Sequence, residues 1–261
     1  MDALTVRDVT KAFPSSGAAT TLVVDGCSFT LEADKLTVMV GPSGCGKTTL
    51  INLIAGYERP TSGDIAFEGR PVTGPGADRL VVFQESALFP WMTVQDNVMF
   101  GPLARGESHT AVQERTNPLL RRVGLLQFAK RYPNQLSGGM QRRAELARAI
   151  INEPRLMLMD EPFRGLDAMT RELMQEHYLR LFEERPRTSL FVASELTEAI
   201  FLADAILVMA PKPTRVKRVI PVDLPRPRTL DMQTSERFRE LFAETMTSLY
   251  DDTASPLARV T

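Results

Sequence analysis

Leu36-Thr37-Val38-Met39-Val40-Gly41-Pro42-Ser43-Gly44-Cys45-Gly46-Lys47-Thr48-Thr49-Leu50-Ile51-Asn52-Leu53-Ile54-Ala55-Gly56 runs from an apolar strand through a glycine-rich turn into a helix. Leu50, Leu53 and Ile54 recur at helical spacing, and Gly56 is a natural C-terminal stop. Gly41 to Thr48 fits the phosphate-binding pattern G-x-x-x-x-G-K-[ST]. Glycines at those positions let backbone N–H groups converge on a phosphate, and the following helix start adds partial positive charge. Lys47 is placed to reach β- and γ-phosphates and the Thr48 hydroxyl to ligate Mg²⁺. Gly41, Pro42, Ser43, Gly44, Cys45, Gly46, Lys47, Thr48 and Thr49 are therefore candidate nucleotide-binding residues. A glycine-rich turn that holds nothing is the plain alternative, and the placement between strand and helix weighs against it. Cys45 reads as a small loop residue, because no histidine or metal-ligand partner lies near it in sequence.

Outward from this unit, Leu80 to Phe83, Leu156 to Met159, Leu190 to Ala193 and Ala205 to Met209 are continuously apolar, as strands covered on both faces should be. Helical stretches separate them, which predicts a doubly wound α/β sheet. Leu88 to Ile151 is mostly helical in pattern and reads as an insertion between two strands. Leu4 to Leu36 predicts short strands between Gly and Pro breaks. After Ala210, a Pro-rich basic stretch over Pro211 to Arg228 leads to an amphipathic helix with Phe238, Leu241, Phe242 and Leu249 on one face, packed against the domain. The expected division is 1–210 and 211–261, with the helical insertion over about 88–151.

The chain has 261 residues, 43% hydrophobic and 24% charged, which excludes dominant disorder. Its formal charge of -1 removes the bulk-electrostatic argument for nucleic acid, and no nucleic-acid partner is expected. Cys27 and Cys45 are too few for a disulfide framework and suit a reducing compartment. The N-terminus has an early acid and no apolar core, unlike a signal peptide. Ala199 to Ala210, the nearest candidate for a membrane span, is short and broken by Asp204.

Leu156-Met157-Leu158-Met159-Asp160-Glu161 is an apolar strand ending in two acids, which puts a carboxylate at the sheet edge beside the phosphate loop. Asp160 is the candidate for the Mg²⁺ shell, and Glu161 for orienting and deprotonating a water. Leu136-Ser137-Gly138-Gly139-Met140-Gln141 opens a second helix with an anion-receptive start. One chain thus carries two phosphate-directed helix ends and one lysine loop. In this it resembles the ATP-binding-cassette (ABC) ATPases, whose signature is Leu-Ser-Gly-Gly-Gln or a close variant. The resemblance runs from about Leu4 to Met209.

That resemblance implies a P-loop NTPase with a RecA-like core, an N-terminal antiparallel β subdomain and an inserted helical subdomain. It implies ATP and Mg²⁺, with Ser137, Gly138 and Gly139 of one subunit completing the phosphate-loop site of another. Phe13 falls where the family places an aromatic on adenine; a core phenylalanine is the alternative. Gln84 matches the Mg²⁺-contacting glutamine, and Gly165-Leu166-Asp167 the loop that crosses the dimer interface. Gly74 to Arg79, Leu88-Phe89-Pro90-Trp91 and Pro211-Lys212-Pro213 are similar to the nitrate/sulfonate/taurine importer ATPases. Ser86 to Phe100 is then the expected contact with a membrane permease, with Trp91 either a contact or locally packed. Arg215, Lys217, Arg218, Arg226 and Arg228 face lipid headgroups or form a solvated hairpin.

Two positions depart from the family. Ser194 stands where a histidine normally touches the γ-phosphate, and His109 and His177 lie in helix-like stretches away from that strand end. Serine is neutral and shorter, so ATP binding is expected to persist while turnover falls. Arg164 replaces a usual glycine; it has an acid, a nucleotide phosphate or solvent as its partner. The expectation is an ATP-hydrolysing subunit of a small-solute importer, with catalytic candidates Glu161, Lys47, Gln84 and Ser194. It would sit peripherally on the cytoplasmic face of the membrane, with a permease, a second ATPase subunit and a solute-binding protein as partners. The alternative is a regulatory nucleotide-binding subunit with weak hydrolysis.

Overall fold

Two strands of 13 residues each, β1 (Asp2–Pro14) and β2 (Thr20–Glu32), pair antiparallel where sequence predicts shorter ones. Register shifts along β1, including one between Val6 and Val9, break the alternation that marks a long strand. The computed structural model describes residues 2–14 and 20–250, so the last part of the 211–261 extension, 251–261, lies outside the described residues. After β2 the chain enters a second sheet as β3 (Leu36–Val40), forms α1 (Lys47–Ala55), and returns to the first with β4 (Ser62–Phe67) and β5 (Arg70–Pro71). The antiparallel sheet has the order β2-β1-β4-β5.

β6 (Arg79–Val82) then starts the run of core strands. Three helices follow: α2 (Val94–Ala104), α3 (His109–Arg122) and α4 (Gly138–Ile150). They lie between β6 and β7 (Leu156–Asp160) and share a core of their own, with Val94, Val98, Leu119, Leu120, Ala144 and Ala147 buried together. The chain continues through α5 (Ala168–Glu184), β8 (Thr188–Val192), α6 (Leu196–Leu202), β9 (Ala205–Met209), β10 (Val216–Pro221) and α7 (Glu236–Tyr250).

The core sheet has the order β10-β9-β3-β8-β7-β6, parallel except for β10. Every residue of β3, β7 and β8 is buried, which is why these segments lack a polar face. Alternate residues still divide between two cores. Val38, Val40, Met157, Met159 and Phe191 pack with α5, α6 and α7, whereas Met39, Leu156, Leu158, Leu190 and Val192 pack with α1 and the antiparallel sheet. The parallel sheet is therefore the middle layer, and the turns at its carboxyl ends are the open edge where such folds bind ligands.

The Pro-rich basic stretch is less of a linker than its composition suggests. β10 extends the core sheet beside β9, and α7 buries Phe238 and Leu241 in the core. Arg226 bonds Asp204 and the Leu202 carbonyl, at 2.9 Å each, and lies over the Phe182 ring. Arg228 is buried and donates to the Ala203 carbonyl; burial pushes its guanidinium down to about 10. These two arginines fasten the extension to the domain instead of forming one exposed basic run with Arg215, Lys217 and Arg218. Among the described residues, no helix is long and apolar enough to cross a membrane.

Candidate nucleotide site

The phosphate loop leaves the end of β3 with its backbone close against β9. A Cβ on Gly41 would sit 2.8 Å from the Met209 Cβ, so the strand end tolerates only glycine there. Gly46, with φ at 123°, precedes α1 without any side-chain cap. The first N–H groups of α1 are consequently left for a ligand. Cys45 is buried in the core beneath the loop, consistent with a packing residue. Lys47 is also buried, and its Nζ donates to the Gly41 and Pro42 carbonyls at 2.9 and 3.0 Å. The ammonium is thus held at the loop by groups weaker than phosphate, which can take it over. Thr48 is exposed and Thr49 half-buried on the first turn of α1.

Asp160 ends β7 with only 6% exposure. Burial pushes its carboxyl up; a hydrogen bond with Thr48 pulls it back, Glu161 raises it, and Lys47 and Arg164 lower it. A buried carboxylate beside a threonine hydroxyl is a hard-oxygen pair that suits Mg²⁺, an ion commonly held by one or two carboxylates together with substrate phosphates. No group of three or more His, Cys, Asp or Glu able to hold a metal occurs among the described residues. Thr48 and Asp160 are the residues that would hold an ion arriving with nucleotide.

Glu161 follows in a left-handed backbone conformation, φ 44°, its N–H bonded to the Val192 carbonyl at 3.1 Å. A non-glycine residue held there stores strain, a common feature of functional turns. Its carboxylate pairs with Arg164 at 3.1 Å, which assigns that arginine an acidic partner. Ser194 is exposed just beyond β8, and the next residue, Glu195, pairs with Arg171. Glu198 is buried in the first turn of α6, where it accepts a hydrogen bond from Gln175 at 3.1 Å. Burial pushes Glu198 up to about 7.

Gln84 is exposed two residues after the end of β6, on a segment tied to the helical insertion. Arg142 of α4 donates to the Phe83 carbonyl at 2.9 Å and to the Gln84 carbonyl, while Glu145 accepts from the Ala87 N–H. The Arg142–Glu145 pair is itself buried, at 2.6 Å. Neither residue stands out in the sequence, because charges three apart on a helix look like a solvated face. Their one signal is their position within the buried stripe of α4.

Ser137 caps α4, accepting the Met140 N–H at 3.4 Å, and is exposed beside Gly138. A Cβ on Gly139 would meet Thr170 of α5 at 2.7 Å. These residues do not line the cleft of about 650 Å³ bounded by Gly41, Pro42, Ser43, Ser194 and α7. Phe13 is half-buried against the core, with the Lys11 ammonium 4.6 Å from its ring centroid. His109 and His177 lie on α3 and α5. Phe89 stacks on Trp91 at 5.5 Å and meets Phe100 edge-on at 4.8 Å, leaving Trp91 69% exposed.

A glycine loop with a buried lysine, a strand-end acid beside the threonine hydroxyl, and a core parallel sheet define a P-loop nucleoside triphosphatase. The second helix start at Ser137 and the helical insertion that carries it narrow this class. Residues 24–164 match the family model for the ABC transporter, and the chain belongs to that family as one of its ATPases. It is 39% identical over 97% of its length, and 94% of the relative's, to an uncharacterized ABC transporter ATP-binding protein of Methanocaldococcus jannaschii. A taurine import ATP-binding protein, TauB, of Pelagibacter ubique is 42% identical over 84% of this chain and 82% of that protein. Among solved structures, a dimeric post-hydrolysis state of the ATP-binding cassette MJ0796, bound to ADP and Pi, is similar at 26% identity with a TM-score of 0.73. It covers 85% of this chain and 100% of its own.

Proposed function

We propose that the chain is the ATP-binding and ATP-hydrolysing subunit of an importer, acting as a pair on the cytoplasmic face of the membrane. The observation that carries the pairing is the separation of its two helix starts. Ser137 and Gly138 are exposed at the start of α4, which belongs to the helical insertion between β6 and β7, whereas the phosphate loop follows β3 in the core sheet. Each chain then supplies two half-sites, and a second copy or related chain completes both.

Within each site, the α1 N–H groups and Lys47 bind the β- and γ-phosphates, and the Ser137 helix start of the facing subunit binds the γ-phosphate. Thr48, Asp160 and Gln84 would hold a Mg²⁺ ion there, which would supply charge neutralisation on the phosphate oxygens. Glu161 accepts the proton of the attacking water as the bond from the γ-phosphorus to its bridging oxygen breaks, releasing ADP and phosphate.

Closure is transmitted through the Phe83–Ala87 segment, which Arg142 and Glu145 fasten to α4. The Ser86–Phe100 segment, with Trp91 exposed at its surface, is the docking site for a permease. Asn97 supports that segment from within by donating to the Phe89, Met92 and Thr93 carbonyls at 3.0–3.1 Å. The similarity to TauB favours a small sulfonate as cargo, delivered by a separate solute-binding protein. Stimulation of ATP turnover on adding the permease and a taurine-loaded binding protein tests this reading. No stimulation with any sulfonate would remove the cargo assignment. A measured turnover near zero, alone and with the permease, would favour the regulatory reading that the exposed Ser194 suggests.

A further inference from the structure

Each acid around the sheet edge has its own partner. Asp160 lies beside Thr48, Glu195 pairs with Arg171, Glu198 accepts from Gln175, and Glu161 pairs with Arg164. Arg171 is held twice, since it also donates to the Leu166 carbonyl at 3.1 Å. Among the described residues, Glu161 is the one side chain that Arg164 bonds.

An exposed ion pair is ordinarily worth little, because two long side chains must be ordered to form it. Here the backbone has already brought the partners together. The Arg164 N–H donates to the Glu161 carbonyl at 3.1 Å, closing the turn that the side chains then bridge. Phe163, between them in sequence, is buried 5.5 Å from the Phe191 ring and anchors this turn to β8. The Glu161 carboxyl side is only 14% exposed, whereas Arg164 is 55% exposed. The charge of Arg164 is also felt at Asp160. Ser194 offers Glu161 no comparable help. It lies two residues beyond the carbonyl that Glu161 bonds, and its hydroxyl makes no hydrogen bond to any described residue.

We propose that Arg164 is a positioning residue for hydrolysis: its guanidinium holds the Glu161 carboxylate in the geometry that accepts the proton of water, in a site with no cationic side chain at position 194. This rests on Glu161 being the base, as proposed above. The arginine itself neither gives nor takes a proton, and the bond changes are those of ordinary ATP hydrolysis.

Steady-state ATPase assays on the full chain with saturating Mg²⁺ test it, alongside equilibrium dialysis of ATP. Arg164→Gly is expected to lower kcat by about tenfold or more while KM stays within about twofold. Arg164→Lys should recover part of the loss, and in a Ser194→His background the same glycine change should cost less than about threefold, because the two cations overlap in role. Native kcat in Arg164→Gly, a loss confined to KM, or equal losses in both backgrounds overturns the proposal. If Arg164→Gly does not fold, Arg164→Gln takes its place in the same cycle. Glu161→Gln separates the two readings. Native turnover there overturns the base assignment, whereas its loss beside full activity in Arg164→Gly overturns only the role of Arg164.

Discussion

Replacing Glu198 by glutamine tests how the end of β8 is supported. The carboxyl is raised from 4.5 to about 7, mainly by burial, with Glu195 and Glu161 adding to the rise and the Gln175 bond and Arg171 opposing it. Between those two values the native chain keeps a proton that the unfolded chain has released. Stability from this group is therefore complete at low pH and is lost as pH rises through about 7. Each pH step of one across that window is worth about 1.4 kcal/mol, so ionised Glu198 costs the native state about 3 kcal/mol at pH 8 and less than about 1 kcal/mol at pH 5. Glutamine has nearly the same shape, can accept the Gln175 N–H, and does not ionise. Glu198→Gln should accordingly be stabilised relative to the native chain by about 2 kcal/mol more at pH 8 than at pH 5. Urea unfolding of both proteins at the two pH values, followed by far-ultraviolet circular dichroism, measures this difference and cancels the other titrating groups. Stability curves that run parallel from pH 5 to 8 would refute the argument, since they would mean that Glu198 is as easily ionised in the folded chain as in the unfolded one.

Ser194→His should raise ATP turnover, by up to about 100-fold if the missing donor limits the native rate, and a variant no faster than native would count against that view. Asp160→Asn should lower turnover at least about 100-fold and remove the Mg²⁺ enhancement of nucleotide binding, while binding measured in EDTA stays near native. Trp91→Ala should leave the ATPase of the isolated subunit unchanged and weaken its association with permease in detergent by about tenfold, as loss of an aromatic anchor does. An unchanged permease affinity would place the docking surface elsewhere.

Much of the fold is legible in the sequence because the core strands are covered on both faces. Continuous apolar runs such as Leu156 to Met159 leave little room for another reading, and Gly56 ends α1 in the left-handed conformation that its residue type permits. β1 and β2 were harder to read at full length, because their shifted register interrupts the two-residue period. β10 was obscured by its lysine, arginine and proline, which an edge strand accepts and a central one does not. At the site, the phosphate loop is a local motif and can be read from consecutive residues. The Arg142–Glu145 clamp on the Phe83–Ala87 segment cannot, since it joins positions nearly sixty apart and gains its meaning only from burial. The partner of Arg164 is not legible in the sequence for a related reason: the choice between acid, phosphate and solvent depends on a turn whose closure only the backbone reveals.

The pairing of half-sites is most directly examined by light scattering on Glu161→Gln, a variant that should hold ATP without consuming it. With Mg²⁺ and ATP its molar mass should double from that of one chain, and Ser137→Arg, which blocks the facing helix start, should keep it single. Full occupancy by nucleotide with an unchanged mass, or doubling that survives Ser137→Arg, would contradict the account.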